Sequence, residues 1–185
     1  RFWRSEMANK AGRGTFAITV DPVEFRNLIG LLNTLDKEAQ QEIRDGAYPL
    51  SQRLAGQLTM FSQSAPAPQT KLVAQTITAK RDRLIRVDIG GSKKVGRKYG
   101  GEQSKSGKGA KVRQNAAPAG ALLWGTEFGS HKGVDSLGRP YTDRFKAPYN
   151  KRGYWITPAV DYYVPIVARE YAQMVQDVVK KLGLD

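Results

Sequence analysis

The stretch Ala121-Leu-Leu-Trp-Gly-Thr-Glu-Phe-Gly-Ser130 joins a short apolar run to a carboxylate, an aromatic ring and a glycine. It stands between two segments of different character. Residues 92–118 are basic, glycine-rich and without hydrophobic period, and residues 130–152 form a second irregular run. Segments with so few large apolar residues cannot bury themselves, so both are read as long, flexible loop insertions. An ordered element between two such loops must be held by the rest of the chain, where the periodic patterns lie.

Upstream, Ala39, Ile43, Ala47, Leu50, Leu54, Leu58 and Phe61 recur every three or four positions. That spacing predicts one long amphipathic helix, opening at Thr34 or Asp36 and closing at Ser64-Ala-Pro-Ala-Pro68. Pro49 removes one of its backbone hydrogen bonds, so a kink or break is expected near Gly46–Pro49. Lys71–Ala79 and Leu84–Gly90 are both strand-like, and Lys80–Arg83 between them is a polar turn, which gives an antiparallel hairpin. In its second strand Ile85, Val87 and Ile89 share one face, while Leu84, Arg86 and Asp88 share the other.

Downstream, Tyr154-Trp155-Ile156 reads as a third short strand or an anchoring turn. Thr157-Pro158 then caps a C-terminal helix with a stripe of Val160, Val164, Val167, Tyr171, Met174, Val175, Val178 and Leu182. Lys180 and Lys181 in its last turn and Gly183 just past it suit a helix C-terminus, and Pro165 predicts a bend. Near the N-terminus, Phe16–Val20 alternates as a strand, and Asp21-Pro22 opens a first helix carrying Val23, Phe25, Leu28, Ile29, Leu31 and Leu32. Residues 1–16 read as a flexible arm whose Phe2 and Trp3 dock on the chain's own core or on a neighbouring subunit. The expected fold is α+β, one domain over residues 1–185: a long amphipathic helix and a C-terminal helix packed on a small antiparallel sheet.

Composition narrows the function. The 185 residues carry a net charge of +13 and no cysteine. A disulfide framework and a thiolate metal site are thereby excluded, and intracellular assembly is the default expectation. No apolar run is long enough for a membrane span and no signal-peptide pattern stands at the N-terminus. So strong a positive charge points to nucleic acid, an anionic surface or an acidic partner. Most of it is local: Lys93, Lys94, Arg97, Lys98, Lys105, Lys108, Lys111 and Arg113 face only Glu102 between residues 93 and 113, which leaves seven of the thirteen net charges there. This basic loop is the candidate contact for DNA or a protein partner.

Catalytic chemistry finds little support. His131, the only histidine, has no second ligand at metal spacing and no nucleophile beside it. Gly90-Gly-Ser-Lys-Lys94 follows a strand but lacks the glycine spacing of a phosphate loop. Glu127 has no carboxylate partner nearby, and Asp135, Asp143 and Asp161 are isolated. No cofactor and no enzymatic activity are expected. Glu127 is read instead as an acceptor for backbone N–H groups or a partner for an arginine, Phe128 as a filler between helix and sheet, and Gly129 as a positive-φ turn.

The order of elements adds a further indication: long helix, hairpin, variable loop, then Trp124, Glu127, Phe128, Gly129 and Ser130, an insertion, Tyr154-Trp155-Ile156-Thr157-Pro158-Ala159 and a last helix. This resembles the tail-completion or neck (head–tail joining) proteins of long-tailed phages of the siphophage type. In that family a Glu-Phe-Gly-Thr element is followed by Pro-Phe-x-x-Pro-Ala; here Ser130 takes the Thr place, and Gly153 replaces the first proline. The resemblance covers about residues 21–91 and 119–182, and it makes Trp124, Glu127, Phe128, Gly129, Tyr154, Trp155 and Pro158 signature residues that lock the fold. It implies a virion protein of the neck or tail, assembled in the host cytoplasm as a homo-oligomeric ring, with a hexamer first and twelve copies second. Its neighbours would be the connector or stopper and the tail-terminator or tail-tube proteins, with non-specific contact to DNA in the channel and none to membrane. The alternative is a stand-alone basic nucleic-acid-binding protein that uses the same loop.

Overall fold

A computed structural model of the chain describes residues 3–8, 15–20, 37–95, 117–130, 132–134, 140–141 and 145–181. The expected first helix after Asp21-Pro22 lies outside them, as do Phe2, His131, Asp135, Asp143, Leu182 and Gly183. In order, the elements are β1 (Trp3–Ala8), β2 (Thr15–Val20), α1 (Lys37–Ser64), α2 (Thr70–Ala74), β3 (Thr78–Lys80), β4 (Arg86–Gly90), β5 (Lys94–Val95), β6 (Ala117–Pro118), α3 (Ala119–Phe128), β7 (Gly133–Val134), β8 (Pro140–Tyr141) and α4 (Ile156–Lys181). The architecture is α+β, with long helices packed on a small antiparallel sheet.

The main sheet has four strands in the order β1-β2-β4-β3, and each neighbouring pair is antiparallel. The β3–β4 hairpin forms with Thr78 opposite Asp88 and Lys80 opposite Arg86. Ile85, Val87 and Ile89 are buried, as their alternation predicts. Two expectations change here. Lys71–Ala79 is not one strand, because Thr70–Ala74 closes into a helical turn and only Thr78–Lys80 pairs with β4. Nor are residues 1–16 wholly a loose arm, because Trp3–Ala8 pairs along its whole length with β2.

The helices α1 and α4 run antiparallel. Lys181 reaches Glu42 at one end, Arg53 meets Glu170 and Tyr163 midway, and Phe61 meets Tyr162 at the other. Their facing stripes are those read from the sequence: Ile43, Ala47, Leu54 and Leu58 on one side, Val160, Val167, Tyr171 and Val175 on the other, all at most 1% exposed. Full burial of each large aliphatic side chain contributes about 1.5–3 kcal/mol, which explains why two sequence-distant helices stay together. Pro49 and Pro165 both lie inside continuous helix, so neither breaks it. Buried polar links tie α1 and α4 to the sheet. Ser51 Oγ donates to Ala47 O and accepts from Arg86 N at 3.1 Å, and the Tyr171 hydroxyl donates to Arg83 O at 2.6 Å.

The two insertions are shorter at their roots than expected. Lys94–Val95 pairs with Ala117–Pro118, which closes the base of the basic loop as a ribbon. Gly133–Val134 likewise pairs with Pro140–Tyr141. Residues 145–152 run back along α3, with the Phe145 ring seated on Gly125.

Candidate functional site

The quoted stretch folds as α3 and is fixed at both ends. At its start, Ala119 N and Gly120 N donate to Lys93 O and Gly91 O, each at 2.9 Å, so the chain leaving β4 caps the helix. At its end Gly129 adopts φ 76°, the positive value expected where the chain turns away. The neighbouring segment is then laced to it by Asn150 N to Phe128 O (2.8 Å), Tyr154 N to Glu127 O (2.8 Å) and Ser130 N to Ala147 O (3.0 Å).

The Glu127 carboxylate is 4% exposed and points at the start of α4. Oε2 accepts from Trp155 N at 3.2 Å and Ile156 N at 2.7 Å, and Oε1 accepts from Thr157 N at 2.8 Å. The next residue, Pro158, has no N–H to satisfy, and the helical ladder begins with Ala159 N to Trp155 O at 3.2 Å. The backbone donors that open a helix are thus accounted for by one side chain from another element. This corrects the expected cap: the carboxylate of Glu127 does the work assigned to Thr157-Pro158, and helix begins at Ile156. Negative charge at this end also complements the helix dipole. Burial raises the Glu127 carboxyl above its ordinary pKa, while the three amides and the Thr157 hydroxyl pull against that shift.

Gly153 is required by this joint. It adopts φ 77°, and a Cβ there would collide with Glu127 Oε1. Proline is held near φ −65° and cannot take this place. The turn into it is built by Asn150, whose Nδ2 donates to Gly153 O at 2.9 Å and whose Oδ1 accepts from Arg152 N at 3.0 Å.

Of the signature residues, Glu127, Gly129, Tyr154, Trp155 and Pro158 meet at this joint. Trp155 is fully buried in the main core, whereas Tyr154 is partly exposed and its hydroxyl donates to Pro148 O at 2.7 Å. Tyr154–Ile156 is therefore the anchoring turn and not a strand. Phe128 does not fill the space between helix and sheet. Its ring lies 4.6 Å from that of Trp124, which is 58% exposed, and Trp155 occupies the core instead.

Of the basic loop, only Lys93 and Lys94 fall among the described residues, and both are exposed; Arg97, Lys98, Lys105, Lys108, Lys111 and Arg113 lie outside them. Lys93 borders a groove of about 340 Å³ with Lys80, Thr78, Gln75, Ser92 and Asp88 around it. Sequence reading missed this groove, because Lys80 was assigned to a solvated turn and only strand pairing places it across from Arg86. Among the described residues no cluster of metal-ligating side chains occurs, and no helix is long and apolar enough to cross a membrane. Comparison with protein-family models, curated proteins and solved structures returned no match.

Proposed function

We propose that the chain is a structural subunit of the neck of a long-tailed phage, forming a ring that joins the head connector to the tail tube. The observation that carries this reading is the Glu127 joint. The two motifs on which the resemblance rests are joined from Glu127 to Tyr154, Trp155, Ile156 and Thr157, and they meet as carboxylate and helix start. Such a joint fixes the angle between α3 and α4 and has no reacting group free to act on a substrate, which supports a scaffold in place of an enzyme.

Head-to-tail contacts generate a closed ring when the rotation between copies closes, and six copies would match a sixfold tail. Trp124, exposed beside Phe128, gives such a ring an aromatic anchor of the kind that protein interfaces favour. The basic loop, rooted on the β5–β6 ribbon, would face DNA in the channel or an acidic neighbour. In an assembly assay with purified heads and tails, deletion of residues 97–113, which leaves Lys93 and β5 in place, should abolish joining while the helical content stays unchanged. Normal joining by the deleted chain, together with complete loss of DNA binding, would overturn the neck reading.

The net charge of +13 and the lysine-bordered groove favour a second reading, a stand-alone nucleic-acid-binding protein. It requires tight DNA binding by the isolated monomer with a steep salt dependence, whereas the neck reading requires weak binding by the monomer.

A further inference from the structure

The groove at the end of the β3–β4 hairpin carries charge in a fixed geometry. Thr78 and Lys80 are directly opposite Asp88 and Arg86 across the antiparallel pair, so these side chains share one face of the hairpin. It is the face away from Ile85, Val87 and Ile89, which are buried beneath the helices. Among the described residues, Asp88 is the only acid lining the groove. It is already engaged, by Arg86 Nε at 3.0 Å and Lys80 Nζ at 3.8 Å. Lys93 forms no ion pair with any described carboxylate. Among the charged residues that line the groove, Lys80 and Lys93 are set against Asp88, which leaves one net positive charge. The rest of the lining is Gln75, Thr76, Thr78, Ser92, Gly90, Gly91 and the apolar Ile89. The Thr78 hydroxyl donates to Thr76 O, and Gly90 N donates to Thr76 Oγ1.

We propose that this groove binds a phosphodiester of the nucleic-acid backbone, as a fixed contact at the root of the basic loop. Two ammonium groups on a lining that also holds the Ser92 hydroxyl and the Gln75 amide suit a tetrahedral oxyanion, and lysine acts on phosphate as a point charge that needs no exact plane. Its volume of about 340 Å³ exceeds what a lone phosphate fills and has room for the adjoining sugar. Lys94 begins β5, and residues 96–113, which follow it in the sequence, carry six further cations. Contact to backbone alone carries no sequence information, so binding is non-specific. The proposal rests on the DNA contact contained in the neck reading and assigns it to particular residues.

The test uses the full chain and a fluorescein-labelled 20-base-pair duplex, with anisotropy measured across a salt series. Lys80→Gln with Lys93→Gln should lower the affinity roughly tenfold and reduce the slope of log K against log salt by about 2, near 0.9 for each phosphate no longer neutralised. The control pair Lys37→Gln with Lys180→Gln removes the same charge elsewhere and should change the slope by less than half as much. Equal effects of the two pairs would overturn the site and leave only diffuse charge. Displacement of the duplex by millimolar inorganic phosphate would also overturn it, by showing a site for a free anion. Ring formation by the groove variant, followed by mass, keeps the two ideas apart. A groove that fails in a protein that still forms rings sinks the site alone, and a groove that binds in a protein that forms none, alone or with a tail-tube ring, sinks the neck reading alone.

Discussion

The Glu127 joint and the β3–β4 groove both place charge in a concave setting, yet they are built to opposite ends. At the joint, a 4%-exposed carboxylate is surrounded by three amide donors and nothing is left over for a ligand. At the groove, Lys80 and Asp88 are paired only at 3.8 Å, and the lysine side chain is 47% exposed. Buried polar groups are costly unless satisfied, while exposed charges cost little and remain available. The difference separates a residue that holds the fold from residues left accessible to a partner. It also explains why the acid-aromatic-glycine stretch, which has the look of a reactive site, is a structural lock.

The comparison is broken most sharply by Glu127→Ala. Leaving two buried amides and one part-buried amide without an acceptor should cost roughly 3 kcal/mol in urea unfolding. Glu127→Gln keeps one acceptor oxygen and should lose less. A loss below about 1 kcal/mol for the alanine variant would mean that water replaces the carboxylate, and the joint would not be the lock described.

Tyr171 supplies a pH test of the same dry side. Burial raises its hydroxyl from 10.0 to about 12. A raised folded value means that the unfolded chain ionises first. The stability is fully present below pH 10 and is lost as pH rises through 12, by at most about 3 kcal/mol. Tyr171→Phe should remove that alkaline decline, read by unfolding between pH 9 and about 12, although it also leaves Arg83 O without this donor. Gly153→Ala should cost about 2 kcal/mol, since it combines a positive φ with a clash on Glu127. The smallest effects belong to the wet side. Lys80→Gln and Lys93→Gln should each shift stability by no more than about 0.5 kcal/mol, although together they weaken DNA binding.

Much of this fold can be read in the sequence because burial imposes a period. The stripes of α1 and α4 follow the helical repeat, and Leu84–Gly90 follows the strand repeat; most of the residues the period selects are buried, while Phe61 and Met174 are only partly so and Ser51, Ser62, Ala159 and Tyr163 are buried beside them. Where no period operates, the reading fails. Five residues of helix at Thr70–Ala74 are too few to show one, and Leu72-Val73 among threonines resembles a strand. Trp3–Ala8 mixes Arg4, Ser5 and Glu6 with apolar residues and becomes a strand only through pairing with β2. Glu127 could be recognised as an acceptor, but its partners are backbone amides, which every residue except proline carries, so the sequence could not say which ones. Gly153 looked like a flaw in a motif until its φ and its closeness to the carboxylate were known.

The neck reading stands on what the chain does in company. Native mass measurement of the full chain, alone and then mixed with a tail-tube or terminator ring, tests it most directly. The account predicts a closed species of six copies, or of twelve, that forms on its own or on meeting that partner. A chain that stays monomeric in both conditions while binding duplex DNA at submicromolar concentration would contradict it.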